Sequence, residues 1–264
     1  MGIGANLGIP KEHGAWGMLY VPLVAGALVA GAGGWRFALL TAAVTFLFVG
    51  RESVLRLWRA RARGRSDRDS LRRVCVYLLL ASASGAPLIW VWRLRWMAAL
   101  GGAALALLAW NAVQVVRREE RTMFTEVLGI AGLTLTAPAA HYAGRMEWTS
   151  TAWWLWCLHA LYFSGSVFYV RLRVRAAHPK GAGDLTSIRW LCGAYHLVLL
   201  PAVVVVPDMG ASRLLLMAAY LPVIARAVWH VARPGTRLSL RRIGRLEIVY
   251  SLVFLGFVVA AFRG

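Results

Sequence analysis

The stretch "PKEHGAWGMLYVPLVAGALVAGAG", residues 10 to 33, places Lys11, Glu12 and His13 directly before a long run of apolar and small residues. A bilayer-spanning helix needs about 20 predominantly apolar residues, so this stretch predicts a first membrane helix. Its small-residue end is also typical of a signal-peptide cleavage region. Because Glu12 and His13 stand where a signal peptide carries basic residues, we expect an uncleaved helix.

The composition of the whole chain agrees with that first helix. Of 264 residues, 59% are hydrophobic and only 16% are charged, and the mean hydropathy is +0.61. A soluble domain carries more charge than this, so the composition predicts an integral membrane protein. We expect one all-α transmembrane domain over residues 1–264, with nine spans near 15–33, 36–50, 74–92, 97–116, 124–143, 151–170, 187–206, 211–231 and 246–262.

The basic residues are distributed unequally between the two ends of these spans. The chain has 30 Lys and Arg against 11 Asp and Glu, for a net charge of +19. With nine spans, one side receives only Arg36, Arg93, Arg95, Arg145, Arg213 and Arg263, and all the other basic residues face the opposite side. The positive-inside rule therefore predicts a cytoplasmic amino terminus and an external carboxyl terminus, in a multi-pass protein of the bacterial inner membrane. This basic surface suits anionic lipid headgroups rather than nucleic acid.

The charged start of the first span is a candidate site on the cytoplasmic side. Lys11 and His13 are expected to face a ligand, because Gly14 and Ala15 allow another helix or a ligand to approach closely. The alternative is anchoring alone, in which Lys11 snorkels and His13 rests in the interface beside Trp16.

A second candidate lies in "VVRREERTMFTEVLGIAGLTLTAPAAHYAG", residues 115 to 144. Glu126 falls about one turn inside the fifth span, where a carboxylate is costly and indicates function unless an arginine pairs with it. The expected partners in such a pair are Arg118 and Arg121. The sequence leaves a structural ion pair and a catalytic role open.

Arginines also leave the second and sixth spans, in "FVGRESVLRLWRARARGR" (residues 48 to 65) and "FSGSVFYVRLRVR" (residues 163 to 175). Clustered guanidinium groups in a partly desolvated cavity suit a phosphate, diphosphate or carboxylate, because their fork geometry permits bidentate hydrogen bonds. The predicted binding residues for such an anionic ligand are Lys11, Arg51, Glu52, Arg117, Arg118, Arg121, Tyr169, Arg171 and Arg173, with His13 and Glu126 as candidate proton-transfer groups.

Metal and disulfide chemistry have no support in the sequence. Cys75, Cys157 and Cys192 all fall inside apolar windows, where thiols usually pack as small hydrophobic groups. The histidines lack the spacing of metal ligands, and no nucleotide-binding glycine loop is present. We predict no metal site, and no cofactor is indicated.

Two resemblances follow from these motifs. "PKEHGAW" at the first span, with the Arg/Glu segment before the fifth, resembles the YwiC-like family of bacterial integral membrane proteins, and the "HGAW" stretch at residues 13–16 is its most specific mark. Nine spans with long cytoplasmic 2–3 and 6–7 loops are similar in architecture to the UbiA superfamily of intramembrane prenyltransferases. That second resemblance implies a cytoplasmic cavity formed by spans 2, 4, 5 and 6, and an isoprenoid or other anionic lipid as ligand.

The chain departs from the UbiA pattern at its metal sites. UbiA enzymes carry an Asp-rich motif after span 2 and another after span 6, which hold Mg²⁺ on a prenyl diphosphate. Here Glu52 is the only carboxylate at the first position, and Asp184 lies well downstream of the second. Magnesium needs carboxylates with phosphate oxygens in octahedral geometry. Two functions remain open: a divergent UbiA-like transferase without these motifs, and a non-enzymatic binder or transporter of an anionic lipid or metabolite.

Overall fold

The computed structural model of the chain describes residues 13–117, 122–177, 184–204, 212–233 and 240–264. In these ranges the chain forms ten α-helices and no strand, so the prediction of an all-α polytopic membrane protein is confirmed. The helices are α1 (His13–Ala30), α2 (Gly34–Ala62), α3 (Arg68–Trp90), α4 (Trp96–Arg117), α5 (Met123–Thr134), α6 (Thr136–Arg145), α7 (Ser150–Ala177), α8 (Leu185–Val204), α9 (Arg213–Ala232) and α10 (Leu240–Arg263).

Each predicted span coincides with a helix, or in one case with two. Helices α5 and α6 follow each other with only Leu135 between them and together form the fifth span, Met123–Arg145. The break has a local cause, because Pro138 has no N–H to offer the carbonyl of Thr134. Among the described residues, six spans are long and apolar enough to cross a membrane, formed by α2, α3, α4, α5 with α6, α9 and α10.

The ends of two helices differ from the prediction. Helix α2 continues to Ala62 and α7 continues to Ala177, so most of the basic "loop" that we expected after span 2 is helix. Arginine and leucine are strong helix formers, and a drop in hydropathy at Arg51 does not end a helix. Residues 63–67 alone connect α2 to α3, and Asp67 caps α3 by accepting a hydrogen bond from the Ser70 N–H at 2.9 Å. Hydrogen bonds from Ser70 hold the pKa of Asp67 below its ordinary value.

Helix α1 lies between the two parts of the bundle. On one side it packs closely on α6, where a Cβ on Gly26 would lie 2.1 Å from the Ala137 carbonyl oxygen. On the other side it meets α10 and α7, whose aromatic core includes Tyr162 stacked on Phe254 with ring centroids 3.9 Å apart. Helix α1 therefore contacts both groups of helices, and the α5/α6 span also packs directly on α7.

Candidate functional site

A cavity of about 850 Å³ lies between α1, α2, α3, α4 and the α5/α6 span. Its wall is mostly apolar, and small residues on facing helices keep the space open. A Cβ built on Gly101 or Gly102 of α4 would meet nothing within 4 Å. The small lining residues are Ala43, Ala81, Gly85, Ala86, Gly101, Gly102, Ala104, Gly129, Gly132 and Ala139.

Polar groups gather at one end of this cavity. The residues that line the cavity at this end come from four helices. They are Gly14 at the start of α1, Arg51 on the distal half of α2, Asn111 near the end of α4, and Thr125 and Glu126 in the first turn of α5. The opposite end is lined by Leu88, Ile89, Trp90 and Met97. The cavity is thus amphipathic along its length, with a charged mouth and an apolar interior.

Glu126 at this mouth is held by an arginine from α7. The Glu126 Oε2 atom accepts a hydrogen bond from Arg171 Nε at 3.0 Å, and Arg171 Nη2 lies 3.0 Å from the same oxygen in an ion pair. We expected Arg118 or Arg121 as the partner, and both lie outside the described residues. Val167, one turn before Arg171 on the same face of α7, also lines the cavity. Arg171 therefore lies beside the mouth, although it is not itself part of the cavity wall.

Among the residues whose side chains are described, the other predicted site residues that precede Glu126 in the chain are not found in the cavity wall. Glu52 forms an ion pair along α2 with Arg56, whose Nε atom is 3.1 Å from Glu52 Oε1, and it does not line the cavity. Arg117 is exposed at the last residue of α4. Lys11 lies outside the described residues. His13 begins α1, but the placement of its side chain is not described.

Tyr169 and Arg173 lie on another face of α7, in a second polar cluster. Both side chains are buried, at 3% and 9% exposure. The guanidinium carbon of Arg226, from α9, lies 3.9 Å from the centroid of the Tyr169 ring and 4.7 Å from that of Tyr250 on α10. The structure therefore divides the single predicted cavity site into a cavity mouth and a cluster between α7, α9 and α10.

An intramembrane ion pair at the centre of this cluster was missed by the sequence analysis. The Arg226 Nη1 atom donates to Glu247 Oε1, and the Ser166 hydroxyl donates to Glu247 Oε2 at 2.8 Å. The charge distribution predicts Arg226 on the cytoplasmic side, yet Arg226 is only 8% exposed within α9. A signal was available, because a single charge within an apolar window normally faces a partner on a neighbouring helix.

The described residues do not form a metal site. Among them, no three His, Cys, Asp or Glu side chains converge closely enough to hold an ion. The two carboxylates nearest to the UbiA motif positions have other partners. Glu52 pairs with Arg56, and Asp184 caps α8 by accepting from the N–H groups of Thr186 and Ser187 at 3.1 and 3.0 Å. Those hydrogen bonds also lower the pKa of Asp184. These residues do not fit a Mg²⁺ site.

Comparisons with known proteins cover most of the chain. A family profile described as "YwiC-like protein" matches residues 9–141. The "Uncharacterized protein YwiC" of Bacillus subtilis (strain 168) is 28% identical over 254 residues, which cover 94% of this chain and 95% of the relative. An "Uncharacterized protein" of Haemophilus influenzae (strain ATCC 51907 / DSM 11121 / KW20 / Rd) is 23% identical over 255 residues, 96% of this chain and 98% of the relative. No solved structure matches the chain, so the UbiA-like architecture stays a prediction.

Proposed function

The chain belongs to the YwiC-like family, and from that premise we propose that it is a multi-pass protein of the bacterial cell membrane that binds an anionic, amphipathic lipid. The lipid chain would lie in the cavity lined by helices α1 to α6, and its head would lie at the mouth beside Arg51 and Arg171. The observation that carries this proposal is the division of one cavity of about 850 Å³ into a charged end and an apolar interior.

The length of the cavity suits a lipid chain. Lining residues on α4 extend from Met97 to Asn111. At 1.5 Å per residue this segment covers about 21 Å along the helix axis. One leaflet contributes roughly half of a 30 Å hydrocarbon core, about 15 Å. An extended acyl or polyprenyl chain therefore fits beneath a head held at the mouth, whereas a small metabolite would leave most of the apolar wall uncovered.

We propose that a lipid reaches the cavity from the hydrocarbon region between α3 and α4. Leu78 and Ser82 on α3, with Gly102 and Leu105 on α4, line the cavity and retain accessible surface, which supports an entrance on this side. Leu78 is 39% and Leu105 is 46% exposed. A lipid could thus move in sideways from the bilayer without its chain crossing water, which supports a membrane lipid as the ligand.

The charges at the mouth favour an anionic head. Arg51 lines the mouth, and Arg171 lies beside it with a partly exposed guanidinium group. Arginine presents a planar fork of donors that matches two oxygens of a phosphate or carboxylate. Binding alone accounts for these features. A transferase reaction would use the same lipid pose, with Glu126 or His13 as the proton-transfer group, and would yield a covalent product.

The test is to fill the cavity without disturbing the helices. Gly101→Leu places a side chain into open cavity space, since a Cβ at Gly101 meets nothing within 4 Å. Gly256→Leu is the matched control, because Gly256 also has open space around it but lies exposed on α10, away from the cavity. Each variant is purified in mild detergent, and bound lipid is identified by native mass spectrometry. We expect the Gly101 variant to lose its lipid and the Gly256 variant to retain it. Equal lipid in both would refute the proposal.

A further inference from the structure

The ion pair at the cavity mouth has a geometry suited to exchange. Arg171 directs two donors, Nε and Nη2, to the single Oε2 atom of Glu126. A guanidinium fork is satisfied better when its two donors reach two different oxygens. The pair is also only partly buried, with side-chain exposures of 29% for Arg171 and 36% for Glu126. Ion pairs with this degree of exposure are weak, so this contact can be replaced at low cost.

The position of Glu126 makes its release from Arg171 tolerable. Glu126 lies in the first turn of α5, where the helix dipole favours a negative charge. The Thr122 hydroxyl caps the same turn by accepting from the Thr125 N–H. A carboxylate that moves away from Arg171 therefore remains beside the positive end of a helix.

We infer that Glu126 is a resident substitute for the anionic head of the ligand, which holds Arg171 in the empty protein and is displaced from it when a lipid binds. This inference rests on the proposed function. A phosphate head would give Arg171 two acceptor oxygens, and the Glu126 carboxylate would turn towards water at the mouth. Glu126 then competes with the ligand and is not one of its binding groups. Because a zwitterionic lipid carries a cationic group that offsets the phosphate, the competition should be felt most by anionic lipids.

The experiment compares two lipids with the same acyl chains, phosphatidylglycerol and phosphatidylcholine, by native mass spectrometry of wild type and variants. Glu126→Gln removes the competing charge and keeps the size of the side chain. We expect it to raise phosphatidylglycerol binding relative to phosphatidylcholine by roughly two- to fivefold, the scale of one partly exposed ion pair. Arg171→Gln should lower phosphatidylglycerol binding, both alone and combined with Glu126→Gln. The control is Glu147→Gln, an exposed carboxylate at the other end of the bundle, which should change nothing.

The outcomes separate this inference from the proposed function. Weaker or unchanged phosphatidylglycerol binding in Glu126→Gln would overturn the substitute role, while the Gly101→Leu and Arg171→Gln variants still report whether the cavity binds lipid. If neither of those variants lowers lipid binding, the proposed function itself fails. Thermal unfolding of every variant in the same detergent establishes that each comparison is made between folded proteins.

Discussion

At the scale of single residues, Arg226 has a buried, charged guanidinium group that contacts side chains on two neighbouring helices. Its guanidinium group lies between the rings of Tyr169 and Tyr250 and is paired with Glu247, so that it joins helices α7, α9 and α10. The side chain of Arg226 is 6% exposed and that of Glu247 is 19% exposed. Removing one partner of such a pair leaves an uncompensated charge in a medium of low dielectric constant. The pair therefore fixes the packing of α9 and α10 against α7.

We predict that Glu247→Ala lowers the free energy of unfolding by about 3 kcal/mol, the usual cost of breaking a buried ion pair from one side. Glu52→Ala is the control, because Glu52 also pairs with an arginine but that pair is exposed on α2. Its removal should cost less than about 1 kcal/mol. Thermal unfolding in detergent measures both. Replacing Arg226 and Glu247 together by Met should recover much of the loss, and a double variant no more stable than Glu247→Ala would show that the charges themselves are not the cause.

At the scale of helices, the crossing of α1 and α6 depends on glycine. A Cβ at Gly26 would approach the Ala137 carbonyl oxygen to 2.1 Å, and a Cβ at Gly144 would approach the Cβ atoms of Ala30 and Ala32 to 2.6 and 2.7 Å. The Thr136 hydroxyl joins the same two helices by donating to the Leu19 carbonyl at 2.8 Å. This contact leaves no room for adjustment, because the obstructing atoms at Gly26 belong to the backbone.

We expect Gly26→Ala to destabilise the protein by about 1–3 kcal/mol, since one added methyl group forces α1 and α6 apart. Gly17→Ala on the same helix is the matched control, because a Cβ there meets nothing within 4 Å and alanine is the better helix former. The two variants are compared by thermal unfolding at equal lipid-to-protein ratio. Equal stability would mean that α1 and α6 can move apart at Gly26 without cost.

The sequence could predict the spans but not all of their ends. A run of about 20 apolar residues forms a helix in a bilayer because a helix satisfies the backbone hydrogen bonds internally, and the described part of each predicted run does lie mostly in helix. Beyond Arg51 and Val170 the sequence is no longer apolar, and this constraint does not apply. There, water can form the backbone hydrogen bonds of a loop, so that either a loop or a helix is allowed. Helix propensity then decides, so α2 reaches Ala62 and α7 reaches Ala177.

At the scale of the whole molecule, the structure brings alternate helix ends together. The end of the bundle that carries the cavity mouth and the Arg226 cluster is formed by the starts of α1, α5 and α10, by the later turns of α4, α7 and α9, and by α2 around Arg51. At the other end, the Ser212 N–H at the start of α9 donates to the Ala261 carbonyl near the end of α10. Which end faces the cytoplasm stays a prediction from the positive-inside rule.

That orientation is testable with single cysteines introduced after Cys75, Cys157 and Cys192 have been replaced. We predict that Ser66→Cys, exposed between α2 and α3, reacts with a membrane-impermeant maleimide only in inverted vesicles. Glu147→Cys, exposed between α6 and α7, should react only from the periplasmic or outer face. Labelling of Ser66→Cys in intact cells would show that the predicted orientation is wrong.

The candidate site was predictable in composition but not in arrangement. The structure places Arg51, Glu126 and Arg171 at or beside one cavity mouth. The sequence predicts this because all three residues fall near the predicted cytoplasmic ends of their spans. The spacing within α7 already separates Arg171 from Tyr169 and Arg173 around the helix. Spacing along one helix does not say which neighbour each face meets, so the pairing of Arg171 with Glu126, 45 residues away, required the structure.

The length of α2 and α7 has a consequence for ionic strength. They contain 29 and 28 residues, or about 43 Å each, against a hydrocarbon core of about 30 Å. Arg61 and Arg175 lie about 40 Å and about 38 Å along the axis from the first residues of their helices, so we expect both to lie outside the core, where physiological salt screens charges over roughly 8 Å. Arg51 lies near the core boundary, where screening is weaker. Added salt should thus release lipids attracted to the basic helix ends while lipid held at the mouth remains bound.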